Sequence, residues 1–287
     1  MRTDRRTTTL WWFIAAQLVL AVGTTLAGWP QPILNVVLLV VIVAMHALRR
    51  YTLASFAVFA GITFVVSNVY ENLSIVTGFP FGDYYYSDAL GLKLFLVPLV
   101  IAPAYFATGY FSWQIAHVLL AVRDARPRGR DVVLVPLIAS FVMVMWDLVM
   151  DPNAATAGGS WIWEDGGGYF GVPVSNFAGW FLCVYTIFQL FAFYLARRGP
   201  AAIRPEAETV GDAFWYQAIV PYVSVALVLT ARFLTREDGI VTDPAGQNWQ
   251  LADLGETTML VSVFTMYFVA LLSTLLVGRS RRDRTPV

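Results

Sequence analysis

Two acidic residues at the end of an apolar segment are the clearest candidates for chemistry in this sequence. Asp147 and Asp151 stand four residues apart, so on a helix they share one face, one turn apart. A charged side chain inside a membrane span costs roughly 3 kcal/mol or more, which makes an intramembrane acid a candidate functional residue. The structural alternatives are that Asp151 ends the helix before Pro152 and that Asp147 pairs with an arginine. We therefore take the pair as candidate functional residues.

A third acid, Glu71, follows an apolar segment in the first half of the chain. Ser67 and Asn68 precede it by four and three residues, so the three side chains form a polar stripe on one side of a helix. If this helix packs against the one that carries Asp147 and Asp151, the three carboxyl groups converge about one turn below the membrane surface.

Segments rich in aromatic residues and glycine follow both sets of acids. The first reads TGFPFGDYYYS over 77–87, and the second reads WIWEDGGGYFGVPVSNFAGW over 161–180. Glycine and proline favour turns, which would fold the rings back over the helix ends. Aromatic residues near a bilayer boundary ordinarily form an interfacial belt, but their density here favours a shaped lid over the acids.

The candidate substrate-binding residues come from these two segments and the adjoining helix ends. They are Asn72, Phe81, Tyr84, Trp161, Trp163, Tyr169, Asn176 and Trp180. The two asparagines are candidates to orient the acids or a water molecule. For Asn176 the alternative is an N-cap of the following helix.

The composition indicates a polytopic helical membrane protein. Of the 287 residues, 58% are apolar and 13% are charged, whereas soluble domains carry roughly 25% charged residues. The formal net charge is zero, and no basic arm or acidic tail indicates a nucleic-acid partner. Cys183 is the one cysteine, which excludes a disulfide within the chain and a cysteine-based metal cluster.

Eight segments are long and apolar enough to cross about 30 Å of hydrocarbon. They are 10–27, 32–48, 53–70, 92–122, 132–150, 177–196, 214–234 and 257–277. The fourth is over-long, and we expect Pro98 and Pro103 to kink it or to split off an interfacial first turn. The prediction is an all-α bundle of about eight transmembrane helices that forms a single integral membrane domain over residues 1–287.

The basic residues alternate between the segments that connect these spans. With the N-terminus in the cytoplasm, every Lys and Arg except Lys93, Arg232 and Arg236 lies on the cytoplasmic side, as the positive-inside rule expects. This pattern predicts eight spans with both termini cytoplasmic. It also predicts that the site lies near the non-cytoplasmic face of the cell membrane.

Three motifs resemble those of a known family. They are EN with TGFPFGDYYY, then WDLVMDP, then WIWEDGGGYFGVPVSNFAGW, and the similar region covers roughly residues 64–185. The family is that of the membrane carotenoid-biosynthesis proteins, which includes hydratases acting on acyclic ends of γ-carotene-like and bacterioruberin-type pigments. The flanking spans are similar only as apolar helices.

The resemblance implies a hydro-lyase that adds water across the terminal C=C of an acyclic carotenoid end group and leaves a tertiary alcohol. Such a reaction needs a proton donor in an apolar site, a stabilised tertiary cation and one positioned water, with no cofactor and no metal. Asp147 is our preferred acid because it is the deeper of the pair, and Asp151 or Glu71 would be the base; the reverse assignment stays open. The implied partners are a long hydrophobic carotenoid, water, the lipid bilayer and, as candidates, other enzymes of carotenoid biosynthesis.

Three other interpretations stay open. An Asp pair on a helix can bind Mg²⁺ and through it a prenyl diphosphate, so a membrane prenyltransferase is one. Cyclisation of the same end group would use the same acid and end in proton loss, and the residue types do not separate it from hydration. A non-catalytic lipid- or pigment-binding protein or a transporter is the third. A transporter is expected to carry polar residues through both leaflets. The inner halves of these spans are apolar by contrast, and the two histidines, His46 and His117, are expected at helix ends.

Overall fold

A computed structural model describes residues 5–29, 31–122, 124–205, 207, 210–235 and 238–282. Arg236, which the charge pattern places on the outer side, lies outside these residues.

Helices make up most of the described chain. They are α1 (Arg5–Leu26), α2 (Pro32–Ala47), α3 (Leu53–Thr77), α4 (Ile101–Leu119), α5 (Asp131–Ala154), α6 (Val174–Arg198), α7 (Asp212–Leu234), α8 (Leu251–Ser262) and α9 (Phe268–Arg282). A π-helical turn, Val263–Tyr267, joins α8 to α9 in one continuous helix. Among the described residues, six helices are long and apolar enough to cross a membrane: α1, α3, α5, α6, α7 and the joined α8–α9. The polytopic all-α bundle is therefore confirmed, whereas eight spans and cytoplasmic termini stay predictions.

The centre of the bundle is α4. Every residue from Tyr105 to Val118 is buried, and the helix packs against α2, α3, α5, α7 and α9. Because other helices surround α4, none of its faces has to be apolar for contact with lipid. This explains how α4 can carry several polar side chains between its apolar ones.

Within the described residues, three short antiparallel strand pairs lie between the helices. Their members are β1 (Tyr84–Tyr86) with β4 (Trp161–Trp163), β2 (Lys93–Leu94) with β3 (Val97–Pro98), and β5 (Ile240–Thr242) with β6 (Asn248–Gln250). The first pair joins the two aromatic segments, with Tyr84 opposite Trp163 and Tyr86 opposite Trp161.

The predicted fourth span is shorter than expected. Its first residues form the β2–β3 hairpin, which turns at Phe95 with a positive φ of 55°, and α4 begins only at Ile101. Pro103 therefore lies in the first turn of α4, where a backbone N–H would have no helical partner. Neither a kink nor a split helix is needed to accommodate it.

The other helix ends near the acids also differ from the expected bounds. The helix α3 continues past Tyr70 to Thr77 and ends at Gly78, whose φ of 74° is left-handed. Glycine adopts this conformation without steric cost, so it commonly follows a helix end. Glu71 and Asn72 consequently lie within the last turns of α3, beyond the predicted span 53–70.

Candidate active site

A cavity of about 50 Å³ lies where α3, α4, α5 and α6 meet the β1–β4 strand pair. Its polar and aromatic wall consists of Glu71, Asp151, Asn176, Tyr84, Tyr86, Tyr105, Trp146, Trp161, Trp163 and Trp180, and its other lining residues are Phe81, Ile101, Ala104 and Met150. One water needs about 10–15 Å³ of such space, so the cavity can hold a few water molecules. Within the described ranges, no group of three or more His, Cys, Asp or Glu side chains could hold a metal ion.

Asn176 links the two aspartates. Asp147 and Asp151 project from the end of α5 and are each 1% exposed. Asn176, in the first turn of α6, donates one side-chain N–H to Asp147 Oδ2 at 3.1 Å and another to Asp151 Oδ2. Trp161 of β4 donates its Nε1–H to Asp151 Oδ1 at 2.7 Å. The N-cap of α6 is Pro173, so the side chain of Asn176 holds carboxyl groups and does not cap the helix.

Glu71 accepts hydrogen bonds from three phenols. Tyr84 and Tyr86 donate to its Oε2, the latter at 2.9 Å, and Tyr105 of α4 donates to its Oε1 at 2.8 Å. Burial and then the nearby Glu71 charge raise the pKa of Tyr84 and of Tyr86 well above the usual value for tyrosine. Both phenols therefore remain neutral donors at ordinary pH. The ring of Tyr105 also stacks on Trp180, with centroids 4.2 Å apart.

The strand pair supplies the aromatic side of the cavity. Side chains alternate along a strand, so Tyr84 and Tyr86 face the cavity while Tyr85 is 48% exposed. Trp163 packs on the Tyr84 ring at 4.8 Å and Trp161 on the Tyr86 ring at 5.9 Å. The pairing of β1 with β4 thus fixes phenols and indoles from distant segments beside the same acids.

The turn between α3 and β1 is held against α6. Ser74 Oγ accepts a hydrogen bond from the Phe81 N–H at 3.0 Å, and Ser175 Oγ donates to the Phe81 carbonyl at 2.9 Å. A Cβ atom on Gly179 would lie 2.7 Å from Phe81 Cδ1 and 2.8 Å from Pro80 backbone. Only glycine permits this close approach, which places Phe81 in the cavity wall.

Three predicted site residues lie outside the cavity wall. Asp147 is not among the residues that line the cavity, and its Oδ1 is buried with no hydrogen-bond partner among the described residues. Asn72 Oδ1 accepts the N–H of Leu96 in the β2–β3 hairpin at 3.1 Å. Tyr169 donates to the Leu148 carbonyl at 3.0 Å. Burial, with the charges of the two aspartates, raises the pKa of Tyr169 to about 12.

Sequence reasoning missed several residues of the wall. Tyr86 could have been found, because it stands two residues from Tyr84 and would share its face in a strand. Tyr105 and Ala104 gave no signal, since they lie within the apolar run 101–107. Trp146 and Met150 each directly precede one of the two aspartates, and nothing in the sequence distinguishes them from the other apolar residues of that segment.

Buried polar residues at the opposite end of the bundle correct one expectation. His46 and His117 lie in the last turns of α2 and α4, as expected, but both are fully buried. His46 lies 2.6 Å from the Tyr110 hydroxyl and 2.7 Å from the Phe214 carbonyl, and the buried Arg50 donates to the Asp124 carbonyl at 3.0 Å. Packing around α4 removes these groups from solvent, and both ring nitrogens of His46 have hydrogen-bond partners. The inner halves of the helices are less apolar than the sequence indicated, so this criterion does not distinguish an enzyme from a transporter.

These features define a helical membrane protein with a buried site of carboxyl groups and aromatic rings. The chain belongs to the family described as carotenoid biosynthesis protein, which matches residues 32–236, and the resemblance drawn from the motifs is confirmed. It is 33% identical over 145 residues to bisanhydrobacterioruberin hydratase from Haloarcula japonica. That match covers 49% of this chain and 47% of the relative, so it spans about half the length of each. No solved structure matches the chain.

Proposed function

We propose that the protein hydrates the terminal C=C of an acyclic, ψ-type carotenoid end group to a tertiary alcohol. Family membership and the similarity to a hydratase support a carotenoid substrate. One observation carries the chemistry: Asp151, which Asn176 links to Asp147, and the phenol-bound Glu71 line the same aromatic cavity. The substrate is then a long polyene that reaches the cavity from the lipid bilayer.

The first step is proton transfer to the alkene, which is a weak base. Two adjacent buried carboxyl groups tend to hold one proton between them, because ionising both would place two negative charges close together. We assign the aspartate pair as the acid, with Asp151 as the member that reaches the substrate because it lines the cavity and Asp147 does not. A C–H bond forms at the less substituted alkene carbon, the π bond breaks, and positive charge develops on the tertiary carbon.

The second step is capture of the cation by water. Indole and phenol faces around the cavity stabilise a cation by about 1–2 kcal/mol each when desolvated. The water oxygen bonds to the tertiary carbon, and Glu71 accepts the proton that this oxygen loses. Return of a proton from Glu71 to the aspartate pair resets the site, so the net reaction consumes one water and no redox cofactor.

Pigment analysis tests this assignment. A host that makes lycopene or bisanhydrobacterioruberin would express the wild type, Asp151→Asn, Glu71→Gln or Asn72→Ala, with membrane levels of each protein checked. The wild type and Asn72→Ala, whose side chain lies outside the cavity, should add one or two water masses, while the two acid variants should add none.

The other outcomes decide between interpretations. Unchanged pigment with folded wild-type protein would contradict hydration of these end groups. A new product of unchanged mass would identify a cyclase instead. Equal product from Asp151→Asn would remove that residue from the acid role, and Asp147→Asn would then show whether its partner supplies the proton.

A further inference from the structure

A second, larger cleft of about 450 Å³ lies at the end of the bundle opposite the cavity. Four arginines line it, together with Thr9, Met45 and Leu48; the arginines are Arg5, Arg6, Arg49 and Arg204. The helix α3 begins four residues after Arg49 and carries Glu71 near its far end. A helix of 25 residues is roughly 37 Å long at 1.5 Å per residue, so the cleft is separate from the proposed active site.

The structure holds two of these arginines in defined positions. Arg49 donates to Gln217 Oε1 at 2.7 Å and to Thr7 Oγ1 at 3.2 Å. The backbone N–H of Arg204 bonds to the Arg50 carbonyl at 3.0 Å. Arg204 Nε is buried, and no hydrogen-bond partner for it exists among the described residues. A buried donor without an acceptor is costly, and an anionic ligand in the cleft would supply the acceptor.

Apolar surface continues from this cleft along the two helices that form it. Phe13 follows Thr9 by four residues on α1, and Val41 precedes Met45 by four residues on α2, so each pair shares one helix face. Phe13 is 37% exposed and Val41 is 36% exposed. The two helices pack against each other. A ligand with an anionic head in the cleft could therefore lay a hydrocarbon chain over this surface.

We propose that the cleft binds the phosphate head group of an anionic phospholipid, with an acyl chain along Phe13 and Val41. Guanidinium groups bind phosphate through paired, charge-assisted hydrogen bonds. Basic pockets between membrane helices bind such lipid head groups. Arg5 and Arg6 lie in the first turn of α1, a helix long and apolar enough to cross a membrane, so we expect the cleft at the depth of the phospholipid phosphates. The site is independent of the proposed reaction.

Lipid-dependent melting of the full-length protein tests the proposal. The protein would be purified in a neutral detergent, freed of native lipid and melted with phosphatidylglycerol, with phosphatidylcholine of the same chains, or with inorganic phosphate. Phosphatidylglycerol alone should raise the Tm of the wild type. Arg5→Gln and Arg204→Gln should each weaken the apparent affinity of the protein for phosphatidylglycerol about fivefold, since each arginine near the surface contributes about that factor.

Two further variants make the result decisive. Arg232→Gln removes an exposed cation from the other end of α7 and should match the wild type, while Arg204→Lys should recover part of the lost affinity. Equal stabilisation by phosphatidylcholine would show that only the chains matter, and equal stabilisation by inorganic phosphate would identify a soluble anion. Either result, or unchanged lipid affinity in Arg5→Gln and Arg204→Gln, overturns the proposal. If Arg204→Gln does not fold, Arg5→Gln decides alone, because Arg5 lies in the exposed first turn of α1.

Discussion

At the scale of single residues, Asn176 controls the environment of both aspartates. A side-chain amide has two hydrogens, and Asn176 donates one to each carboxyl group. Asp147 accepts no other hydrogen bond from the described residues, and its Oδ1 has no partner. In the proposed mechanism, the position of the proton shared by Asp147 and Asp151 therefore depends on Asn176 and on Trp161, which donates to Asp151 alone.

Asn176→Ala should lower hydration about 10- to 100-fold and reduce the Tm. Loss of the amide leaves buried carboxyl oxygens without a donor, which costs about 1–3 kcal/mol. The rate of water addition in isolated membranes measures the effect. Asn72→Ala is the matched control, because Asn72 also lies in a helix end near the site but bonds to the β2–β3 hairpin. Equal rates in the two variants would contradict a positioning role for Asn176.

Because of Tyr169, the free energy of unfolding should fall as the pH becomes alkaline. Burial first, and then the charges of Asp147 and Asp151, raises its pKa to about 12, whereas an unfolded tyrosine titrates near about 10. Because the folded pKa is the higher, the contribution to the free energy of unfolding is complete below about pH 10 and is lost as pH approaches about 12.

Melting curves across this range measure the effect against Tyr169→Phe. The wild type should lose Tm more steeply than the variant, which has no phenol to titrate at this position. Tyr84 and Tyr86 are present in both proteins, so they contribute equally to the slope of Tm against pH in each. Parallel profiles would show that folding does not raise the pKa of Tyr169.

At the scale of secondary structure, the aromatic side of the cavity depends on the pairing of β1 with β4. The sequence correctly indicated aromatic segments that follow the acids, but it did not indicate that they pair. Strands of three residues are too short to show alternation, and YYY and WIW are apolar at every position. The start of α4 at Ile101 was hidden for a similar reason, because the residues on both sides of it are apolar. Tertiary contacts, not local pattern, set both features.

Gly179→Ala should destabilise the protein by about 1–3 kcal/mol, as overpacking typically does, and should slow hydration. The new methyl group would lie 2.8 Å from the Pro80 backbone, so the turn that carries Phe81 would move away from the cavity. Gly61→Ala in α3 is the control, since no atom lies within 4 Å of its Cβ position and alanine favours a helix. Tm and water addition would be measured for both variants. A Gly179→Ala protein as stable and active as Gly61→Ala would show that this contact does not hold the site.

At the scale of the whole molecule, the three site carboxyl groups and the four arginines of the cleft lie at opposite ends of the bundle. The composition sufficed to predict a helical membrane protein, because so apolar a chain of this length would not stay soluble. It could not settle the number of spans: α2 has only 16 residues, and α4 is buried on all sides. The charge pattern predicted one basic face, and the structure brings Arg5, Arg49 and Arg204 together there. Which face meets the cytoplasm depends on the membrane and needs its own measurement.

Single-cysteine labelling should place the proposed active site on the outer side. Tyr85 is 48% exposed beside the cavity, and Arg128 is exposed between α4 and α5 at the other end of the bundle. The native Cys183 is buried and should stay unlabelled in the folded protein. A membrane-impermeant maleimide should label Tyr85→Cys in intact cells and Arg128→Cys only after permeabilisation. The reverse pattern would put the cavity on the cytoplasmic side and the arginine cleft outside, which would contradict the orientation derived from the basic residues while leaving the chemistry of the cavity unchanged.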